Sequence, residues 1–177
     1  VRLDHMPAEM EFIERNPGET FEVGGLRITP HLLMHPIPTF GYRIDEGDTR
    51  FAFATDNEIA LFANSENGTL KDLATWCKGA DLLVHVAQYS REEYKTHAGF
   101  GHSTYEEALQ LAEQAGARQL AFFHHHPIHS ATDIDGLVEE ALGTHRTAGG
   151  SNLQAFPAPQ APDPPPPPLR FPPLAAR

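Results

Sequence analysis

Leu120-Ala121-Phe122-Phe123-His124-His125-His126-Pro127 is the stretch that decides the fold. Four apolar residues run straight into three imidazoles, and a proline closes the segment. A short apolar run bounded by polar residues and proline reads as a buried strand. The same arrangement recurs upstream. Arg50-Phe51-Ala52-Phe53-Ala54-Thr55 is closed by Asp56, His35 follows Leu33-Met34 and precedes Pro36, and His102 sits in Gly101-His102-Ser103-Thr104. Polar groups that follow strands or Gly-rich turns are delivered to one rim of a sheet. Imidazole and carboxylate together suit zinc, manganese or iron.

Around these segments the pattern is that of an α/β layered domain. Thr20 to Val23, Gly24-Gly25 and Leu26 to Thr29 read as a hairpin around a Gly-Gly turn. Phe40 to Ile44 and Arg50 to Thr55 read as a second hairpin, and Asp81 to His85 as a buried strand. A helix is expected over Leu70 to Lys78, with Cys77 as a core or half-buried thiol. Another is expected from Ser103, with Glu106 completing a capping box and Gly116 ending it. Its apolar positions Ala108, Leu111, Ala112 and Ala115 share one face. A third is expected from Asp133 to Leu142, stopped by Gly143. Strands first, then strand and helix in alternation, place helices on a sheet.

Residues 1–147 read as the folded part and 148–177 as a Pro-rich tail, with Gly149-Gly150-Ser151 as the hinge and an unbroken proline run from Pro164 to Pro168. Proline lacks the N–H and fixes φ, so that run reads as extended polyproline. One cysteine excludes an internal disulfide. No segment has the length and hydropathy of a membrane span and no signal peptide is visible, so a cytoplasmic location is expected. The formal net charge is −11 with neutral histidines. An acidic chain argues against nonspecific nucleic-acid binding and against anionic membranes. A small anionic substrate remains compatible, because bound cations reverse the local field.

Each candidate alone has an ordinary explanation. His35 could be bonded to backbone, Asp56 could cap a turn, and His102 could be a turn residue. Because alternate strand residues point to opposite faces, His124, His125 and His126 cannot all converge on one ion. His126 and His129 read as surface groups, as do His31, His97 and His145. The joint pattern carries more weight than any member.

Three segments resemble the metallo-β-lactamase-fold hydrolases, in their phosphodiesterase-like and tRNA-3′-processing-like branches. They are His35 to Ile44, Phe53-Ala54-Thr55-Asp56, and Gly101-His102-Ser103-Thr104 followed by a helix and Leu120 to Pro127. The spacings, 21 residues from His35 to Asp56 and 22 from His102 to His124, are similar too. The resemblance implies a four-layer αββα sandwich, present here as its C-terminal part. It implies two divalent metal ions, zinc before manganese or iron. His35 would be a ligand of the first and His124 of the second, and Asp56 would bridge both. His102 would be the non-ligand histidine at the scissile group, able to give or take a proton. A metal-bound hydroxide would attack a phosphodiester or similar ester.

Two features depart from that family. The histidine-rich H-x-H-x-D-H motif is absent, and Asp4-His5 matches only its last two letters. With about three protein ligands needed per catalytic zinc, further ligands are expected from a missing N-terminal segment. The isolated chain is then expected to be inactive, with an apolar face exposed. The alternative is a degenerate, non-catalytic half-domain that acts as a binding or regulatory module. The second departure is Val86, which stands where relatives often carry an acidic residue that orients the catalytic histidine. The expected substrate is a small phosphate ester, with nucleic acid disfavoured by the charge. The sequence leaves the oligomeric state open.

Overall fold

A computed structural model describes residues 12–62, 64–65 and 68–158. Both expected hairpins form. β1 (Phe21–Val23) pairs antiparallel with β2 (Leu26–Leu32), and β3 (Phe40–Glu46) pairs antiparallel with β2 and with β4 (Thr49–Ala54). After β4 come α1 (Ile59–Phe62), a short pair β5 (Asn64–Ser65) and β6 (Gly68–Thr69), and α2 (Leu70–Trp76). The chain returns as β7 (Leu82–Val86), then runs through α3 (Arg91–His97) and α4 (Tyr105–Ala115) to β8 (Gln119–Phe123). α5 (Ala131–Thr147) leads to β9 (Gln154–Pro157). The main sheet has the order β1-β2-β3-β4-β7-β8-β9, antiparallel in its first half and parallel from β4 onward.

Strand alternation gives the sheet two unlike faces. Ala52 and Ala54 of β4, Leu83 of β7, and Leu120 and Phe122 of β8 form the core with Leu73 of α2, Leu109 and Leu111 of α4, and Ile134 and Val138 of α5. Gly41 of β3 belongs there too. A Cβ on it would stand 2.8 Å from the Phe53 carbonyl and 2.9 Å from the Trp76 ring, so the helix packs down only over a glycine. Cys77 lies in this core, and burial pushes its thiol up to about 12. The other face carries Tyr42, Phe51, Phe53 and Phe123. Phe53 packs against Phe51 at 6.2 Å and Phe123 at 5.9 Å, while Tyr42 and Phe123 stay exposed. This face of the sheet is aromatic and partly exposed.

Several boundaries differ from the sequence reading. The cap of α4 is Thr104 with Glu107, one residue later than expected. Ser103 is engaged elsewhere, donating to the Asn57 carbonyl and accepting from the Ile59 N–H. α5 runs past Gly143 to Thr147 and begins after its own capping box, Ser130 with Asp133. α3 was not anticipated, although Ser90-Arg91-Glu92-Glu93 is also a capping box. The chain does not leave the fold at 148. Gln154–Pro157 adds a parallel edge strand to β8, where a proline's missing donor is tolerated. The run Pro164 to Pro168 and the Asp4-His5 pair lie outside the described residues. Among the described residues no helix is long and apolar enough to cross a membrane.

Candidate metal centre

β2, β4, β7 and β8 all point the same way, since β2 and β4 both run antiparallel to β3 and the rest are parallel to β4. Their C-terminal ends therefore share one edge, the usual place for a site in such sheets. His35 follows β2 by three residues, Asp56 follows β4 by two, and His124 follows β8 directly. His102 enters from the loop before α4. Ligand atoms of His35, Asp56 and His102 lie within 4.8 Å of one another. His124 Nε2 is 3.7 Å from Asp56 Oδ1, and the His124 ring meets the His102 ring edge-on at 4.7 Å. All four expected residues thus meet at one point. The compact trio contains His102, whereas His124 approaches through Asp56.

Local chemistry prepares each side chain. His35 Nδ1 lies 3.0 Å from the Ile37 carbonyl and 3.1 Å from the Thr39 hydroxyl. The Ile37 N–H also approaches this nitrogen, at 3.3 Å, so backbone and hydroxyl groups engage Nδ1 on the side of the ring away from Gly101 and fix its orientation. The His35 ring sits directly over Gly101, where a Cβ would come within 2.3 Å of Nε2 and 2.1 Å of Cδ2. Gly101 is also at φ +91, so both the space and the backbone call for glycine. Thr55 donates to Asp56 Oδ2 at 3.0 Å, while Oδ1 faces His124. Among the described residues His124 is the only non-glycine residue with positive φ, at 54°. A side chain in that region costs about 1–2 kcal/mol, and strain of this kind collects at functional positions.

His102 is half-buried. Burial lowers its pKa, the neighbouring His124 lowers it further, and the Asp56 carboxylate opposes both. Its buried Nδ1 meets no hydrogen-bond partner among the described residues. Val86 is fully buried and carries no side-chain acceptor. Imidazoles and a half-exposed carboxylate converging at one point are a donor set that fits a divalent ion of the zinc, manganese or iron type.

The residues behind the site were missed by the sequence reading. Asn57 and Glu58, directly after Asp56, are both fully buried. Asn57 Oδ1 accepts from Met34 N–H at 2.9 Å, and its Nδ2 donates to His85 Nε2 at 2.9 Å. His85 in turn donates from Nδ1 to the Val86 carbonyl at 2.7 Å, so it is a neutral core imidazole. Burial holds its pKa down near 4, against a smaller upward pull from that carbonyl bond. Two adjacent polar residues after Asp56 were a signal, but burial is not readable from composition.

The remaining histidines divide differently from expectation. His129 is not a surface group: it is nearly buried and pairs with Glu93 at 2.7 Å. His126 is half-buried beside Tyr89 and His97, His31 stacks on Trp76 at 5.1 Å, and His145 pairs with Glu113 at 3.0 Å. His97 also stacks on Tyr89, at 4.7 Å. His125 points the other way from His124, toward the Tyr105 hydroxyl at 3.0 Å.

Residues 2–125 match the family model of the beta-lactamase superfamily domain. Ribonuclease Z of Brevibacillus brevis is 38% identical over 86 residues, covering 49% of this chain and 25% of that protein. Ribonuclease Z of Bacillus cereus is 25% identical over 199 aligned positions, covering 89% of this chain and 65% of that protein. Ribonuclease BN of Erwinia tasmaniensis is 25% identical, covering 74% and 56%. The chain spans from a quarter to just under two thirds of the length of these relatives. Among solved structures, the metallo-beta-lactamase fold protein YhfI from Bacillus subtilis superposes with a TM-score of 0.59 at 17% identity, over 82% of this chain and 51% of that one. Human tRNase Z, short form, does so at 0.50 and 24%, over 60% and 38%.

These relatives correct one expectation. Nucleic acid was disfavoured as a partner because the chain is acidic, yet the matched relatives carry the names Ribonuclease Z and Ribonuclease BN. The net charge of a segment that spans only part of its relatives does not bound the field of a whole enzyme. With its histidines and aspartate gathered at one edge of a mixed seven-stranded sheet, this chain belongs to the beta-lactamase superfamily domain family, with the metallo-β-lactamase fold.

Proposed function

We propose that this chain is the portion of a metal-dependent phosphodiester hydrolase that carries His35, Asp56, His102 and His124. The observation behind this reading is the convergence of those four groups at one sheet edge. His35, Asp56 and His124 would hold the metal, zinc first by donor type. A bound divalent ion supplies a water activated near neutral pH and a positive field for the ester oxygens. The protein's own residues do the rest. Asp56 lies between the imidazoles and sets their spacing. His102, with an unengaged Nδ1, would carry a proton to or from the ester oxygen. The three donors His35, Asp56 and His124 match the protein ligands of one catalytic ion. A second ion would need donors beyond these three, such as those of the H-x-H-x-D-H motif.

The names of the relatives support a phosphodiester of RNA as the substrate class. The test is elemental analysis of the purified intact protein with turnover of bis(p-nitrophenyl) phosphate and of a short RNA. Asp56→Ala is expected to lose both metal and turnover. Full metal content and unchanged turnover in that variant would end this reading.

A further inference from the structure

Glu58 is a fully buried carboxylate that no step above uses. Its partners are unusual for a buried acid, because none among the described residues is a cation. Oε1 accepts from the Tyr94 hydroxyl at 2.7 Å and from the Gly99 N–H at 2.7 Å, and Oε2 accepts from the Gly101 N–H at 2.7 Å. A buried charge persists only when its acceptor sites are filled by donors. Here three donors come from α3 and from the glycine loop that leads into His102. The Glu58 backbone N–H donates to the Met34 carbonyl, one residue before His35. Gly101, held by Oε2, is the floor on which the His35 ring rests. One residue, through its side chain and its backbone N–H, therefore joins the segments carrying His35, Asp56 and His102.

We infer that Glu58 is a positioning residue: its buried carboxylate fixes the Gly99–Gly101 loop so that His102 and His35 stand at working distance from Asp56 before any ion or substrate arrives. The inference rests on the hydrolase reading above. Negative charge is required, and not merely an amide of the same shape. A glutamine has one acceptor oxygen. Placed toward Tyr94 and Gly99, it leaves an NH2 facing the Gly101 N–H. Flipped, it leaves an NH2 facing the Gly99 N–H. Either way donor meets donor, and the loop must move by enough to break the contact under the His35 ring.

The experiment compares Glu58→Gln with Tyr94→Phe in the intact protein. Tyr94→Phe removes one donor from the clamp and leaves both loop amides bound. Three quantities are read: zinc affinity by chelator competition, kcat and KM on bis(p-nitrophenyl) phosphate, and the thermal midpoint. Removing a group that orients ligands typically costs about 10–100-fold in metal affinity or activity. Glu58→Gln is expected to lose zinc affinity or kcat in that range with KM changed less than about threefold, in a folded protein. Tyr94→Phe is expected to keep both within about twofold, whatever its thermal midpoint. Zinc affinity and kcat of Glu58→Gln within twofold of wild type would overturn the inference. So would losses that track the thermal midpoint equally in both variants. If Glu58→Gln does not fold, Glu58→Asp, which keeps the charge on a shorter arm, is read by the same criteria; failure of both to fold overturns the positioning role in favour of a purely structural one. A wild type without zinc or turnover would count against the hydrolase reading itself, and is thereby told apart from an effect confined to Glu58.

Discussion

Acidification should unlock the core behind the site through His85. The imidazole is fully buried, accepts from Asn57 at Nε2 and donates to the Val86 carbonyl from Nδ1, and has a pKa near 4 in the fold. In the unfolded chain it returns to the ordinary histidine value of 6.5. The unfolded state therefore binds the proton first as pH falls, and stability drops. The contribution is intact above the unfolded value and is lost as pH descends from there toward about 4. From those two values the loss is about 2 kcal/mol at roughly pH 5 and about 3 kcal/mol by roughly pH 4. His31, His102 and His125 also have lowered pKa values, each chiefly through burial, so the total acid slope is steeper than His85 alone provides. The variant His85→Leu isolates its share. It should be less stable than wild type at neutral pH, by about 1–3 kcal/mol, because Asn57 loses its acceptor. It should also show the shallower acid slope. Urea unfolding followed by Trp76 fluorescence at neutral and acid pH measures both. Parallel stability curves for wild type and His85→Leu would refute the reasoning.

Other consequences are open to measurement. Gly101→Ala places a methyl within 2.3 Å of His35 Nε2 on a backbone at φ +91, and zinc competition should show affinity reduced by about 10–100-fold or more. His102→Ala should retain metal by elemental analysis while turnover collapses; loss of the ion would make His102 a ligand instead of a proton carrier. His124→Gly relieves the positive φ and should raise unfolding stability by about 1 kcal/mol while weakening metal binding, as calorimetry with and without zinc would reveal.

The local pattern of the chain was enough to recover much of this protein. Hairpins, the buried strands β7 and β8, the apolar stripes of α4 and α5, and four polar residues at strand ends follow from periodicity, turn chemistry and neighbouring residues, all of which are written in consecutive positions. Tertiary structure decided what depends on distant partners. Ser103 looks like a helix cap, but a carbonyl far away in sequence claims its hydroxyl, and the cap passes to Thr104. Gln154–Pro157 looks like the start of a proline-rich tail, yet an open edge of β8 recruits it. His129 looks exposed until Glu93 reaches it. Asn57 and Glu58 look like two more polar loop residues beside Asp56. Only the crossing of three loops buries them and turns them into the acceptors on which the site is built, because burial and hydrogen-bond geometry are properties of chain segments brought together and not of any segment read alone.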